Sequence, residues 1–324
     1  MKILITGITG FVAAHFLDLL SDIEPGSEVL GLARHIGDFD VSKYPKLNIN
    51  VQEVDLLNKD LVGYVLKNFK PEYILHLASV SSVALSWQLP QESFVNNTNI
   101  FLNVVEQVRA TGIKCRILSI GSSEEYGDVT ESELPLTESH SLKPVSPYAV
   151  ARVSQELLSV IYAKGYNLDI VISRSFNHIG PGQTDKFVIS SFAKQLVQLS
   201  VSEVKEKKIV TGNLDIIRDF LDVRDVVKAY YLLLKSGTSG EIYNICSGRG
   251  IVLKDVILKM SEALNLQTII EVNPALIRPN ENKKVTGSYK KIQSELKWQP
   301  QITFEDSIKD LITYWKTQIE KGRN

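Results

Sequence analysis

The sequence is short of most features that would set its class at once. Only 2 cysteines occur in 324 residues. Cys115 and Cys246 lie far apart in the apolar runs CRILSI and IYNIC. Neither a disulfide framework nor a cysteine metal cluster is expected, and both are read as buried, reduced thiols. No apolar run approaches the roughly 20 residues that cross a bilayer. The opening MKILITG has no signal-peptide cleavage pattern, so a cytoplasmic location is expected. A formal net charge of -1 offers no general attraction to nucleic acid or to a membrane surface, and neither is expected as a partner. No internal repeat or low-complexity stretch stands out, and no metal is expected.

What is present is an ordinary globular composition, 44% hydrophobic and 23% charged. Short β-rich runs alternate with helical patterns through the first half. Strands are expected at 1–6, 28–33, 48–54, 73–78, 116–120 and 169–173. Helices are expected at 11–20, 57–69, 94–110 and 147–164. Apolar strands in strict β–α alternation imply a parallel sheet covered on both faces. After Phe176 the texture changes to a turn-rich segment, a helix at 188–200 and a charged, loop-like stretch at 201–208. A helix at 226–235, a strand at 242–246 and helices at 253–264 and 304–321 follow. The fold class is thus α/β: a Rossmann-type doubly wound parallel sheet with a smaller, interleaved C-terminal substrate lobe. Residues 1–175 form the first unit, with 219–245 returning to it. Residues 176–218 and 246–324 form the lobe.

The first strand runs into Thr6-Gly7-Ile8-Thr9-Gly10-Phe11-Val12-Ala13. Glycines let the chain turn tightly and bring backbone N–H groups to a pyrophosphate at a helix N-terminus. In the first β–α turn of such a series this reads as a dinucleotide site, with Gly7, Thr9, Gly10, Phe11 and Val12 around the phosphates. The second strand ends in Ala33-Arg34, where an acidic residue would select the free ribose of NAD. A guanidinium suits a 2′-phosphate, so NADP(H) is the expected cofactor. Asp55 and Leu56, closing the third strand, would lie near the adenine. His76-Leu77-Ala78 closes the fourth strand beside the cofactor, and His76 itself reads as a core residue.

Pro147 suits the first turn of a helix, and Tyr148 and Arg152, four apart, share one face of it. A cation beside a phenol favours the phenolate. Such a tyrosine can give a proton to a carbonyl oxygen while hydride reaches the carbon. A serine at the same oxygen, here Ser122, would help hold the developing charge.

Thr6-Gly7-x-x-Gly10-x-x-Ala13, His76-Leu77-Ala78, Ser122 and the Tyr148 helix resemble the extended short-chain dehydrogenase/reductase family over essentially the whole chain. The resemblance implies a Ser/Thr, Tyr and Lys triad, with Ser122 and Tyr148 catalytic and Asn97 at a supporting position. The departure is Arg152 in the place of lysine, which keeps the charge and closes any relay through a neutral amine. Ser79 belongs with the cofactor set. Ser81, Ser123, Asn177, Val188, Lys194, Arg218, Arg278 and Glu281 are implied on the substrate side, the arginines for a diphosphate and Glu281 for ribose hydroxyls.

GSSEEYG, SRSFNHIGPGQ and EIYNICSG look most like reductases of GDP-4-keto-6-deoxy-D-mannose. They are also similar to GDP-mannose 4,6-dehydratases, in which Glu124 would serve as a base. Against a dehydratase, Phe220-Leu221-Asp222 stands where those enzymes have Trp-Gly-His. An NDP-sugar epimerase and a non-catalytic NADP-binding protein are the remaining alternatives. The resemblance also implies a homodimer built on the Phe94 and Tyr148 helices.

Overall fold

The computed structural model describes residues 1–277 and 282–322. The chain runs β1 (Lys2–Thr6), α1 (Phe11–Ile23), β2 (Glu28–Ala33), β3 (Asn48–Glu53), α2 (Lys59–Phe69), β4 (Tyr73–His76), α3 (Val83–Gln88), α4 (Pro90–Phe94), α5 (Ile100–Thr111), β5 (Arg116–Ser122), α6 (Pro147–Tyr166) and β6 (Asp169–Ser175). It continues through β7 (Asn177–Ile179), α7 (Val188–Ser200), β8 (Lys207–Thr211), β9 (Ile217–Asp222), α8 (Val223–Ser236), β10 (Ile242–Ile245) and β11 (Gly250–Val252). It ends with α9 (Leu253–Ala263), β12 (Thr268–Val272), β13 (Lys284–Val285), α10 (Lys290–Leu296) and α11 (Phe304–Lys321).

Seven strands pair in parallel in the order β10-β6-β5-β4-β1-β2-β3. Alternate residues of each strand enter opposite cores, as the period of a strand requires. Ile3 and Ile5 join one apolar cluster with Phe16 and Leu17 of α1 and Val226, Tyr230 and Leu233 of α8. Leu4 joins the other, with Val62 and Leu66 of α2 and Phe101, Val104 and Val105 of α5. Each such burial contributes about 2 kcal/mol of transfer free energy. The winding reverses between β1 and β4, and ligands sit at the carboxyl ends of strands at such a switch point.

A smaller sheet centres on β9, with β11 antiparallel to it and β7 and β13 parallel to it. A separate pair joins β8 to β12. Ile189, Phe192 and Leu196 of α7, Val256, Ile257 and Met260 of α9, and Ile308 and Leu311 of α11 form the core here. Among the described residues no helix is long and apolar enough to cross a membrane.

The structure differs from the expected elements at definite places. The helix expected at 94–110 is two segments joined by a π turn at Val95–Asn99, where the Asn97 side chain bonds the loop after β4. It stops at Thr111 because Gly112 takes a left-handed conformation, φ 69°. The stretch 201–208, expected to be a loop, enters β8 at Lys207. The segment 219–245 divides. Ile217–Asp222 is the middle strand of the small sheet, with only its Leu221 reaching the first core, and α8 and β10 join the large unit. Part of the stretch 246–324 also packs on the large unit: Ile292 of α10 and Trp298 lie in the first core, and Trp298 Nε1 donates to the Asp225 carbonyl at 3.1 Å.

Candidate active site

The carboxyl ends of β1, β2, β3, β4 and β5 bring the expected cofactor residues to one edge of the sheet. Gly7 has φ +73°, and a Cβ there would stand 2.9 Å from the Ala78 nitrogen. Only glycine can take this turn against the end of β4. Thr6 holds the same junction: its Oγ1 accepts from the Ala78 N–H at 3.1 Å and bonds His76 Nδ1 at 3.0 Å. Burial first, and the charge of Arg152 second, push the His76 imidazole down to about 3, so it is neutral. Gly10 is the N-cap of α1, and Thr9 and Gly10 are exposed at that helix end. Gly31 of β2 leaves room for Ile8, whose Cγ1 lies 2.6 Å from where a Cβ would stand. Phe11 and Val12 are half-buried behind the turn, and Arg34 and Asp55 are exposed at the ends of their strands. These residues fit a dinucleotide: an open helix N-terminus, a turn that admits no side chain, and an exposed cation at the second strand.

Asn97, expected at a supporting position, is fully buried. Its Oδ1 accepts from the Val80 N–H at 3.1 Å, and its Nδ2 donates to the Val80 carbonyl at 3.2 Å and the Ser93 carbonyl at 2.6 Å. It thereby holds the loop that carries Ser79 and Ser81.

β5 ends at Ser122, which caps a short turn at Ser123–Tyr126; its Oγ accepts from the Glu124 N–H at 3.2 Å. Ser146 caps α6 through its Oγ, which accepts from the Ala149 N–H at 3.1 Å. One turn in, Arg152 Nε donates to Tyr148 Oη at 3.1 Å, and the guanidinium lies 5.2 Å from the centre of the tyrosine ring. Arg152 is 4% exposed. Its Nη1 donates to the Ile120 carbonyl at 3.0 Å and to Gln155 Oε1 at 2.7 Å.

A second buried network lies behind Ser122. Arg174 gives Glu156 two bonds, at 2.7 and 2.8 Å. Its guanidinium sits 4.8 Å from the Tyr126 ring centre. Glu125 Oε1 accepts from the Ser122 N–H at 2.6 Å, and its Oε2 lies 3.9 Å from Arg174 Nε. Burial, then the neighbouring Glu156, pushes the Glu125 carboxyl well above the ordinary carboxylate range and favours its neutral form.

A cleft opens beside these residues, with Ser123, Glu124, Tyr126, Ser146, Asn177 and Arg218 in its walls, while Ser122, Tyr148 and Arg152 stay behind the lining. Trp87, Val83, Val145 and Asn282 also line it, and nothing local in the sequence marks them. Asn177 is held by its Nδ2, which donates to the Asp219 carbonyl at 3.1 Å. Asp219 is fully buried and gathers the turn after β10 and the segment after β13 at Gly287. It accepts from Ser247 N and Oγ at 2.8 and 2.6 Å, Gly248 N at 3.0 Å and Gly287 N at 3.2 Å. Val188 and Lys194 of α7 lie outside the cleft walls. Lys194 is paired with Asp185 at 2.7 Å and lies over Trp315. Arg278 and Glu281 lie outside the described residues.

A family model described as GDP-mannose 4,6 dehydratase matches residues 4–311. Among curated proteins, the chain is 29% identical over 320 residues to GDP-6-deoxy-D-mannose reductase of Pseudomonas aeruginosa, covering 99% of each. It is 26% identical over 348 residues to GDP-mannose 4,6-dehydratase of Vibrio cholerae, covering 95% of this chain and 92% of that protein. Among solved structures, RMD from Pseudomonas aeruginosa complexed with NADPH matches with a TM-score of 0.85 at 28% identity, over 98% of this chain and 100% of that one. UDP-glucose 4-epimerase from Thermotoga maritima with UDP-glucose matches with a TM-score of 0.87 at 26% identity, over 98% and 100%.

Proposed function

The chain belongs to the GDP-mannose 4,6-dehydratase family, and from that premise we propose that it is an NADPH-dependent reductase of the C4 ketone of a GDP-4-keto-6-deoxy-hexose, forming GDP-D-rhamnose. The observation that carries this is the phenol of Tyr148 held by Arg152 next to a cleft that opens beside Ser123 and Ser146. The likeness to a reductase along the whole chain supports it.

In this reading Gly7, Thr9, Gly10, Phe11 and Val12 hold the pyrophosphate and Arg34 holds the 2′-phosphate. Asp55 and Leu56 lie by the adenine, and Leu77, Ala78 and Ser79 line the nicotinamide side. When bound, the cofactor supplies a hydride for C4. Tyr148 Oη gives the proton to the ketone oxygen, and Ser122 Oγ hydrogen-bonds that oxygen as charge develops. Arg152 stabilises the phenolate that remains. Arg218 and Arg278 take the diphosphate, and Glu281 takes the ribose hydroxyls. Asn177, Ser81 and Ser123 complete the substrate side.

The exposed apolar stripe Val150, Leu157 and Ile161 of α6, with the exposed Phe94 of α4, supports a homodimer. The two buried, free thiols suit a cytoplasmic location.

A second reading, a 4,6-dehydratase, is favoured by Glu124 in the cleft wall, where it would be the base. The test is NADPH absorbance with purified protein and product analysis. Consumption of NADPH with the GDP-4-keto-6-deoxy sugar, and none with GDP-mannose, is expected. Formation of the keto sugar from GDP-mannose without net NADPH use would make the protein a dehydratase.

A further inference from the structure

We propose that Gln155 is a positioning residue that enables an arginine to serve at position 152. This rests on the reading of Arg152 beside a bound nicotinamide cofactor. A lysine presents rotatable donors on a point charge, whereas a guanidinium is a rigid plane whose N–H directions are fixed together. For Nε to point at Tyr148 Oη, the whole plane must be set. The bond from Nη1 to Gln155 Oε1, at 2.7 Å, sets it together with the Ile120 carbonyl.

Gln155 is itself fixed, being 1% exposed on the inner face of α6. Its Nε2 donates to Ser119 Oγ at 3.0 Å and to the Ile120 carbonyl at 3.1 Å. Ser159 Oγ donates to the Gln155 carbonyl at 2.8 Å and lies 2.9 Å from the same Ser119 hydroxyl, whose proton can bridge the two. These partners decide which way the amide faces, because a flipped amide would set its NH₂ against the Nη1 donor. They tie residues 119, 120, 152, 155 and 159 into one unit spanning β5 and α6.

The chemistry of the amide matters as much as its position. Both acceptors of Nη1 are neutral, and no ion pair to Arg152 occurs among the described residues. The guanidinium is therefore oriented without being neutralised, and its charge remains for the phenolate. A carboxylate at 155 would orient the plane equally well and cancel the charge. Nη2 has no partner among the described residues, which leaves it for a cofactor hydroxyl.

The experiment is a cycle of four proteins: the unaltered chain, Gln155→Met, Arg152→Lys and the double variant. Methionine keeps the length and packing of glutamine and removes the amide. NADPH affinity is read by nicotinamide fluorescence without sugar, and kcat, KM and the pH profile with the keto sugar. With Arg152 present, Gln155→Met should weaken NADPH about fivefold and lower kcat about tenfold. It should also move the profile to more alkaline pH and leave the KM for sugar unchanged. In the Arg152→Lys background, the same change should alter each by less than about twofold.

Equal losses in both backgrounds, or no loss beside Arg152, would overturn the proposal. Should Gln155→Met not fold by melting temperature, Ser119→Ala replaces it. That substitution removes one anchor of the amide and should lower kcat about threefold only when position 152 is arginine. If the unaltered protein does not reduce the keto sugar, the functional reading fails on that result, and the NADPH affinities across the cycle still decide the role of Gln155.

Discussion

The Nε–H of Arg152 meets the phenol oxygen of Tyr148 at 3.1 Å, one helical turn away on the buried face of α6. The pair can be separated chemically. Tyr148→Phe keeps the ring beneath the guanidinium and removes the oxygen that carries the proton. Turnover should fall about a thousandfold, while NADPH affinity stays within about threefold. Loss of both, or of neither, in parallel fluorescence and turnover assays would remove Tyr148 from its role.

Arg34 offers an exposed cation at the end of β2, where a 2′-phosphate would lie. Arg34→Ala should weaken NADPH about tenfold or more, the scale of a lost charge-assisted bond, and NADH less than about twofold. Equal effects on the two cofactors, measured by titration, would dismiss the argument for NADP.

The buried carboxylates behind Ser122 should respond in opposite ways. Glu156→Gln leaves the Arg174 guanidinium without its bidentate anion and should cost about 3–5 kcal/mol of stability. Burial favours the neutral form of Glu125, and Glu125→Gln keeps the acceptor for the Ser122 N–H, so it should cost less than about 1 kcal/mol near neutral pH. The sign with pH follows. The unfolded Glu125 ionises at the ordinary carboxylate value of 4.5, while the folded one holds its proton to higher pH. Its burial therefore costs more as pH rises, and the glutamine variant should gain on the parent over that range. Urea unfolding at pH 5 and pH 8 measures both; a destabilised Glu125→Gln at the higher pH would contradict it.

His178 is half-buried beside Tyr230 with its Nδ1 enclosed, and desolvation lowers it from 6.5 to about 4. The unfolded histidine binds a proton below 6.5 and the folded one does not. Stability should thus fall as pH drops from 6.5 toward 4, by about 1.4 kcal/mol per pH unit for this residue. His76, lowered to about 3, adds in the same direction. Denaturant midpoints between pH 7 and pH 4.5 should flatten in His178→Gln, and an unchanged slope would show that His178 is charged in the native protein.

Much of the large sheet was legible because its strands are continuous apolar runs and its helices are periodic. The ranges 28–33, 188–200 and 304–321 agree with β2, α7 and α11 to the residue. The small sheet was not legible. KKIVT of β8 reads as charged, β13 is two residues long, and IRDFLD of β9 mixes both kinds. These strands exist because distant segments pair with them, and a local window contains no trace of that. The site divides in the same way. Gly7, Tyr148 and Arg152 announce themselves by spacing within one turn or helix. Asp219 depends on Ser247, Gly248 and Gly287, and Gln155 on Ser119, which lie near only after folding. Trp87 and Asn282 come to the cleft by the same route.

Phe176 alone separates β6 of the large sheet from β7 of the small one, and β9 passes into α8 with no residue between. At these two crossings the halves of the protein are joined with one residue or none between their elements. An engineer could not lift out the sugar-facing half as a cassette and graft another, since cutting these two seams would cut a core. Changes of sugar preference in this architecture must come one side chain at a time, in the cleft wall, on a frame that stays whole.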